Sequence, residues 1–372
     1  MIGDRVRHAR ELSGLTQGEL AEKCDVAQAT VAMIERDALM PSPDFLRRLT
    51  RATSFPAEFF MNAPDWEFPL GSLSYRKFSK LRAAERTKSH RLAQQSFELY
   101  EFLAARLKTP RVALGKMPTE QPQEAARLTR TLLGLSATGP VRGLVSRLER
   151  SGIRVFFLPE VIEDPDHESR TEIENVDGFS IWVEGAKPVI AVNGSRPGDR
   201  IRLTLAHELG HLVLHYPFHA EQDIEREAYL FGAEFLFPEE SFRAELHRPV
   251  TLAKLAELKA RWGVSMSAIL YRARELDIVS DRQHKYLRMH LGKRGWTKCE
   301  PVDIPIEAPR ALHYMADLAY RDDRSHRALA DDAHLPLFWI NRIFSAQAAP
   351  RRTEVPGQVV SLTDRRKNRS RP

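Results

Sequence analysis

The sequence is poor in cysteine, with two in 372 residues, Cys24 and Cys299. Two thiols cannot build a disulfide framework, which excludes a small stapled scaffold, and both are expected to be reduced. Apolar runs long enough to span a bilayer are missing, and the start of the chain shows no charged-then-apolar leader. The expectation is a cytoplasmic protein with no membrane attachment. Excess charge is also small: 56 Lys and Arg against 50 Asp and Glu leave +6, which permits contact with nucleic acid without demanding it. The rest is the composition of a folded globular chain, 42% hydrophobic and 28% charged. Its length allows more than one core.

The chain is organised around Leu205-Ala206-His207-Glu208-Leu209-Gly210-His211-Leu212-Val213-Leu214-His215. His207 and His211 are four apart, so on a helix they share one face. Two imidazoles at that spacing reach one zinc ion at about 2.0–2.1 Å. Glu208 lies beside the metal, placed to take a proton from water rather than to ligate. Leu205, Leu209 and Leu212 turn to the core. The pentapeptide by itself also fits a buried amphipathic helix whose histidines are satisfied by hydrogen bonds. His215 continues the face, but three successive turns of a straight helix do not converge on one tetrahedral ion, so it supports a ligand or packs. His219 is a weaker candidate.

After a short loop comes Glu225-Arg226-Glu227-Ala228-Tyr229-Leu230-Phe231-Gly232-Ala233-Glu234-Phe235-Leu236-Phe237-Pro238. Together with the two-His helix, this resembles the ImmA/IrrE family of zinc metallopeptidases, peptidase M78. There the second helix reads Glu-x-x-Ala-Asn-x-Phe-Ala-Ala-x-Leu-Leu-Met-Pro. Counted back from Pro238, the resemblance implies Glu225 as third zinc ligand beside His207 and His211, with Glu227 as the alternative. It implies Glu208 as general base. Tyr229 stands where the family has Asn and is read as packing; Phe237 for Met is an apolar exchange. A metzincin would need Gly at 214 and His at 217, and the chain has Leu214 and Pro217.

Residues 1–62 read as a helical module. Val6, Ala9 and Leu12 recur at helical spacing, and Gly14 stops the first helix. Thr16 then caps Gln17–Lys23, with Glu19 at the capping-box position. A third helix over 27–36 turns Val31 and Ile34 inward, and a fourth covers 44–52. The residues Thr16-Gln17-x-x-Leu20-Ala21, Val26-x-Gln28-x-Thr30-Val31-x-x-Ile34-Glu35 and Pro41-Ser42 resemble the Cro/C1-type helix-turn-helix of the XRE family. Such a motif puts its third helix in the major groove. Gln28 is then the best base reader, pairing with adenine. Gln17 and Thr30 would meet phosphates or bases, Arg36 a phosphate, and Ala29 and Met33 lie on the same outward face. One module makes few phosphate contacts, so specific binding to a double-stranded operator calls for a homodimer.

Pro56, Pro64 and Pro69 mark the exit, and residues 61–70 read as linker within a connecting and helical region, 63–139. Arg76, Lys77, Lys80 and Arg82 make a basic run, read as a solvated helix start. A long helix over 83–107 and helices over 123–133 and 141–150 follow. Strands are expected over 152–158, 179–183 and 188–192, the last two joined by a hairpin turn at 184–187. A small sheet ahead of the two-His helix fits a peptidase lobe, assigned to 140–246, with an edge strand able to hold an extended peptide. Residues 247–345 read as helical. Helices over 252–261 and 266–276 form a second helix-turn-helix-like pair, read as packing on the lobe, and two more lie between 301 and 344. Residues 346–372 read as a basic, disordered tail.

The expected fold is therefore mostly α with a small β-sheet (α+β): a five-helix DNA-binding module, a gluzincin-like metallopeptidase lobe and a helical C-terminal region. The expected function is that of a bacterial DNA-binding transcriptional regulator with a zinc-dependent endopeptidase domain, one zinc per chain. The resemblance implies a protein substrate, an XRE-type repressor. The rival expectation is a transcription factor whose metallopeptidase-like domain is structural or binds an effector or partner.

Overall fold

The computed structural model describes residues 2–62, 66–74, 82–115, 118–159, 161–164, 169–172, 175–183, 185, 187–215, 223–320 and 325–348. The expectations for Pro64, Arg76, Lys77, Lys80, His219 and the tail beyond residue 348 fall outside them.

Five helices open the chain: α1 (Ile2–Leu12), α2 (Gln17–Lys23), α3 (Gln28–Glu35), α4 (Pro43–Thr53) and α5 (Ala57–Met61). The Thr16 hydroxyl accepts from the Glu19 amide at 3.2 Å, and the Glu19 carboxylate accepts from the Thr16 amide at 2.7 Å, so two otherwise orphaned donors are satisfied. Ser42 caps α4 in the same way, accepting from the Phe45 amide. Leu12, Leu20, Val31, Ile34 and Leu49 close the core. α1 crosses α3 at backbone contact. A Cβ at Gly3 would collide with the Ile34 carbonyl oxygen.

Residues 66–74 are not a free linker. Trp66 and Phe68 pack on Phe97 with ring centroids 5.0 and 5.5 Å apart. A 3-10 turn, Gly71–Ser74, follows. Phe97 belongs to α6 (Ala83–Ala104), 22 residues long. Its apolar stripe, Leu92, Phe97, Leu99 and Leu103, is buried as its spacing predicts. So are Glu85, Lys88, His90, Arg91, Gln94 and Gln95. Buried charge needs partners, and α1 supplies several. Arg91 reaches Asp4 at 3.0 Å and Glu11 at 2.6 Å, and Arg5 reaches Glu98 at 2.6 Å.

Then come α7 (Pro122–Leu132), α8 (Leu144–Arg150), β1 (Arg154–Leu158), β2 (Val161–Asp164), β3 (Ser169–Glu172), β4 (Gly178–Val183) and β5 (Lys187–Asn193). β2 and β3 form a separate antiparallel ladder that the strand pattern of the sequence did not announce. The main sheet has the order β1-β5-β4, with β1 parallel and β4 antiparallel to β5. Its faces alternate, as strand geometry requires. Phe156, Leu158, Phe179, Ile181 and Val189 join the core that holds α6 and the five N-terminal helices. Val155, Phe157, Trp182, Ile190 and Val192 join a second core. Glu101 of α6 binds both Arg154 of β1 at 3.1 Å and Lys187 of β5 at 2.6 Å, fixing the helix across the sheet.

The second core is built on α9 (Gly198–Leu214), α10 (Ile224–Leu236), α11 (Glu239–Glu245), α12 (Leu252–Trp262), α13 (Met266–Glu275) and α14 (Asp281–Lys293). The helix-turn-helix-like pair α12–α13 packs on the lobe: Leu255, Leu258, Trp262, Ile269 and Leu270 are buried in that core. Lys259 of α12 bridges Asp199 at the start of α9 (2.6 Å) and Glu300 (2.8 Å). Where two C-terminal helices were expected, the described residues form three, α15 (Ala311–Ala319), α16 (Ser325–Asp332) and α17 (Leu337–Ala346). They are eight to ten residues each, too short for periodicity to separate one from the next, and Pro336 immediately precedes the last. All three close the first core. Among the described residues, no helix is long and apolar enough to cross a membrane.

Candidate metal centre and DNA-reading face

The candidate metal centre is assembled where α9 crosses α10. Small residues let the two backbones touch: a Cβ at Gly210 would lie 3.1 Å from the Ala228 Cα, and one at Gly232 3.2 Å from the His207 amide nitrogen. That closeness brings a carboxylate from the first turn of α10 onto the two-His face of α9. Glu225 Oε2 lies 3.4 Å from His207 Nε2, and Glu225 Oε1 3.4 Å from His211 Nε2. The two Nε2 atoms are 3.1 Å apart. Ligand atoms bound tetrahedrally at zinc distances stand about 3.3 Å from one another, so the triangle of donors matches one ion of that size. His207, Glu208 and His211 each also offer an atom within 4.8 Å of the others. The donor set, two imidazoles and a carboxylate, suits zinc. His211 is fully buried, whereas His207 and Glu225 keep some exposure, so the site opens on one side.

Glu227 faces elsewhere. Its Oε2 sits 2.9 Å from His215 Nε2, and His215 Nδ1 sits 2.9 Å from His211 Nδ1. The proton positions follow from this chain of contacts. A carboxylate only accepts, so His215 Nε2 carries the proton and His215 Nδ1 accepts from His211 Nδ1–H. The His211 Nε2 lone pair is thereby left on the side of His207 and Glu225. Burial holds the His215 imidazole below its ordinary pKa, against the pull of Glu227, which favours this neutral form. Tyr229 packs edge-on against Tyr271, with centroids 5.4 Å apart, and burial pushes its hydroxyl pKa up.

Glu208 is 1% exposed. Its Oε2 accepts from two hydroxyls, Ser180 Oγ at 2.9 Å and Ser72 Oγ at 3.1 Å. Neither serine was singled out in the sequence. Ser180 carried one usable signal, a polar residue on the lobe-facing side of β4. Ser72 carried none. Another missed group is Glu234 of α10, 1% exposed, which binds Arg272 at 2.6 Å and Arg127 at 2.9 Å.

On the N-terminal domain, α3 exposes Gln28, Ala29, Met33 and Arg36 at its C-cap, with Thr30 half-buried; Val31 and Ile34 turn inward. Gln17 is half-buried, and its amide donates to Glu35 at 2.9 Å. Arg10 holds the same carboxylate at 2.5 Å. Gln17 thus ties the start of α2 to the end of α3 while keeping part of its side chain at the surface.

The IrrE N-terminal-like domain of peptidase M78 matches residues 148–274, and a helix-turn-helix domain matches residues 6–60. No curated protein matches the chain. The first span runs from the end of α8 through the sheet, α9 and α10 and into α13, and the second runs from α1 into α5. The chain thus joins an XRE-type helix-turn-helix DNA-binding domain to a domain of the IrrE/ImmA-like M78 peptidase family.

Proposed function

We propose that the protein is a DNA-binding regulator whose M78-family lobe is a zinc-dependent endopeptidase acting on a protein partner. The observation that carries the reading is Glu225, 3.4 Å from both imidazoles of α9 with the buried Glu208 alongside. His207, His211 and Glu225 are the ligands in this reading, and His215 and Glu227 orient His211. Zinc held there supplies Lewis acidity to the scissile carbonyl and to the attacking water. Glu208 takes a proton from that water and gives it to the departing amine. Trp182 donates to the Leu212 carbonyl at 3.0 Å, holding α9 against β4. An XRE-type repressor is the proposed target, on family resemblance. Gln28 is the proposed base reader, with Ala29, Thr30, Met33 and Arg36 at the same surface, and a homodimer supplies the second half-site. A regulator that holds zinc without cutting is the second reading, favoured by the two hydroxyls on Glu208.

Zinc content of the full chain, wild type beside His211→Ala and Glu225→Ala, tests the ligands. One zinc per wild-type chain, lost in both variants, is expected; no zinc after it is supplied rejects the centre. A peptide library searched by mass spectrometry for new termini tests the reaction. Cutting by wild type and none by zinc-loaded Glu208→Gln is expected. Zinc-loaded wild type that never cuts, even with residues 66–74 displaced, leaves the second reading.

A further inference from the structure

We propose that the segment leaving the DNA-binding domain, residues 68–74, is an autoinhibitory plug of the peptidase site. The proposal rests on the catalytic reading of Glu208. Ser72 is fully buried and uses its hydroxyl twice. It donates to Glu208 Oε2 at 3.1 Å and accepts from the Ser180 main-chain N–H at 2.8 Å. β4 ends the main sheet, so that N–H lies on its outer side, where an extended peptide would pair. Ser72 therefore takes both the group assigned to proton transfer and a main-chain donor needed to seat a substrate.

The approach is as close as a backbone can make. Gly71 has φ +55°, and a Cβ there would collide with the Ser180 carbonyl oxygen and stand 2.9 Å from the Ile181 Cα. Glycine is the residue that accepts both conditions. The segment is also the wrong shape for a substrate. It is a 3-10 turn, closed by the Leu73 amide on the Leu70 carbonyl at 3.1 Å, whereas strand addition needs an extended chain. Its upstream end is anchored on α6, where His90 Nε2 meets the Pro69 carbonyl at 3.0 Å and Phe68 meets Phe97. The same helix grips α1 through Arg91. The plug and the DNA-binding domain thus rest on one support, and a substrate enters when residues 68–74 withdraw.

The test compares full-length wild type with Gly71→Val, which cannot keep the close approach, and Ser72→Ala, which keeps the backbone and loses both hydroxyl contacts. Cutting of the peptide library and hydrogen exchange of a peptide covering residues 176–183 are read on the same zinc-loaded samples, with folding checked by circular dichroism. In both variants the expected result is faster exchange over β4 and cutting on the order of tenfold faster or more, the scale of one lost hydrogen bond to a carboxylate. Faster exchange with cutting equal to that of an active wild type overturns the plug. So does unchanged exchange in Gly71→Val, which stands even if no sample cuts; zinc-loaded samples that never cut while exchange rises reject the peptidase reading and with it the inhibitory role. Scission of the chain itself between residues 68 and 74 makes the segment a substrate and also overturns the proposal.

Discussion

Replacing Glu234 by Gln should destabilise the lobe out of proportion to its small chemical change. The carboxylate is 1% exposed and lies 2.6 Å from Arg272, whose side chain is 6% exposed. At an effective dielectric constant of about 20, that pair attracts with roughly 6 kcal/mol gross, most of it offset by the desolvation of both ions. What the substitution exposes is the other side of the balance. Gln keeps an acceptor for the Glu239 amide, 3.0 Å away, but takes from the buried Arg272 its 2.6 Å counter-ion and leaves it only the more distant Glu275, at a cost of about 3–5 kcal/mol. Arg127, with its side chain 60% exposed, contributes less than about 1 kcal/mol because water screens it.

Arg272→Met should cost less, because the carboxylate keeps Arg127 and the Glu239 amide. The double variant buries neither charge and should recover part of the loss, with a coupling of about 2–3 kcal/mol. Urea unfolding read by tryptophan fluorescence suits the measurement, because Trp262 stacks on Phe237 in the same core, with centroids 4.0 Å apart. The midpoint should fall with the slope unchanged. Single losses under about 1 kcal/mol, or losses that add without coupling, would refute the reasoning. The consequence reaches the metal centre. Glu234 fastens α10 to α13 and α7, and α10 carries Glu225, so zinc affinity should fall in Glu234→Gln although no ligand is touched.

Three further outcomes are expected. Gln28→Ala should weaken binding to a selected operator by about 1–3 kcal/mol in fluorescence anisotropy and leave nonspecific DNA affinity as it was; an equal loss on both would remove Gln28 as a base reader. His215→Phe should lower zinc affinity by about 10–100-fold in chelator competition, through loss of the hydrogen bond that orients His211, and Glu227→Ala should lower it through loss of the acceptor that fixes His215; undiminished affinity would deny them that role. Burial lowers the His90 pKa from 6.5 to about 4. Since the unfolded chain then binds the extra proton first, the stability His90 contributes is complete above pH 6.5 and declines as pH falls from there to about 4, by about 3 kcal/mol at most. His90→Asn should flatten that part of the pH dependence of the melting temperature, and a profile parallel to wild type would reject the assignment.

What could be read from the sequence was what repeats at short range. The Thr16–Glu19 box, the inward Val31 and Ile34, and the four-residue step from His207 to His211 are local patterns with one physical solution each. The alternating faces of β4 and β5 belong to the same class. What stayed illegible depends on distant partners. α6 carries Arg91 and Glu98, which on their own read as a solvated face; their partners lie on α1, 80 and more residues earlier. Glu234 next to Phe235 gave no sign of burial, because its counter-ions come from α7 and α13. Ser72 lies 136 residues from Glu208 in sequence, and its proline-flanked surroundings read as linker.

The arrangement bears on how DNA binding and peptidase access can be coupled. A ligand shifts an equilibrium only through contacts that differ between its two states. Gln28, Ala29, Met33 and Arg36 are exposed while α1 is docked on α6, so the docked domain already presents its reading face. An operator therefore has no reason, from one protomer, to favour withdrawal of residues 68–74. Separating α1 from α6 would break both ion pairs of Arg91, whose side chain is 10% exposed, together with the Arg5–Glu98 pair. Coupling would have to come from the geometry of two protomers on one duplex, or from a partner that competes for α6 itself. In the second case the support shared by the DNA-binding domain and the plug makes the two functions antagonistic. A partner seated on Phe97 and His90 in place of residues 66–74 would occupy the helix that also holds α1 through Arg91 and Glu98.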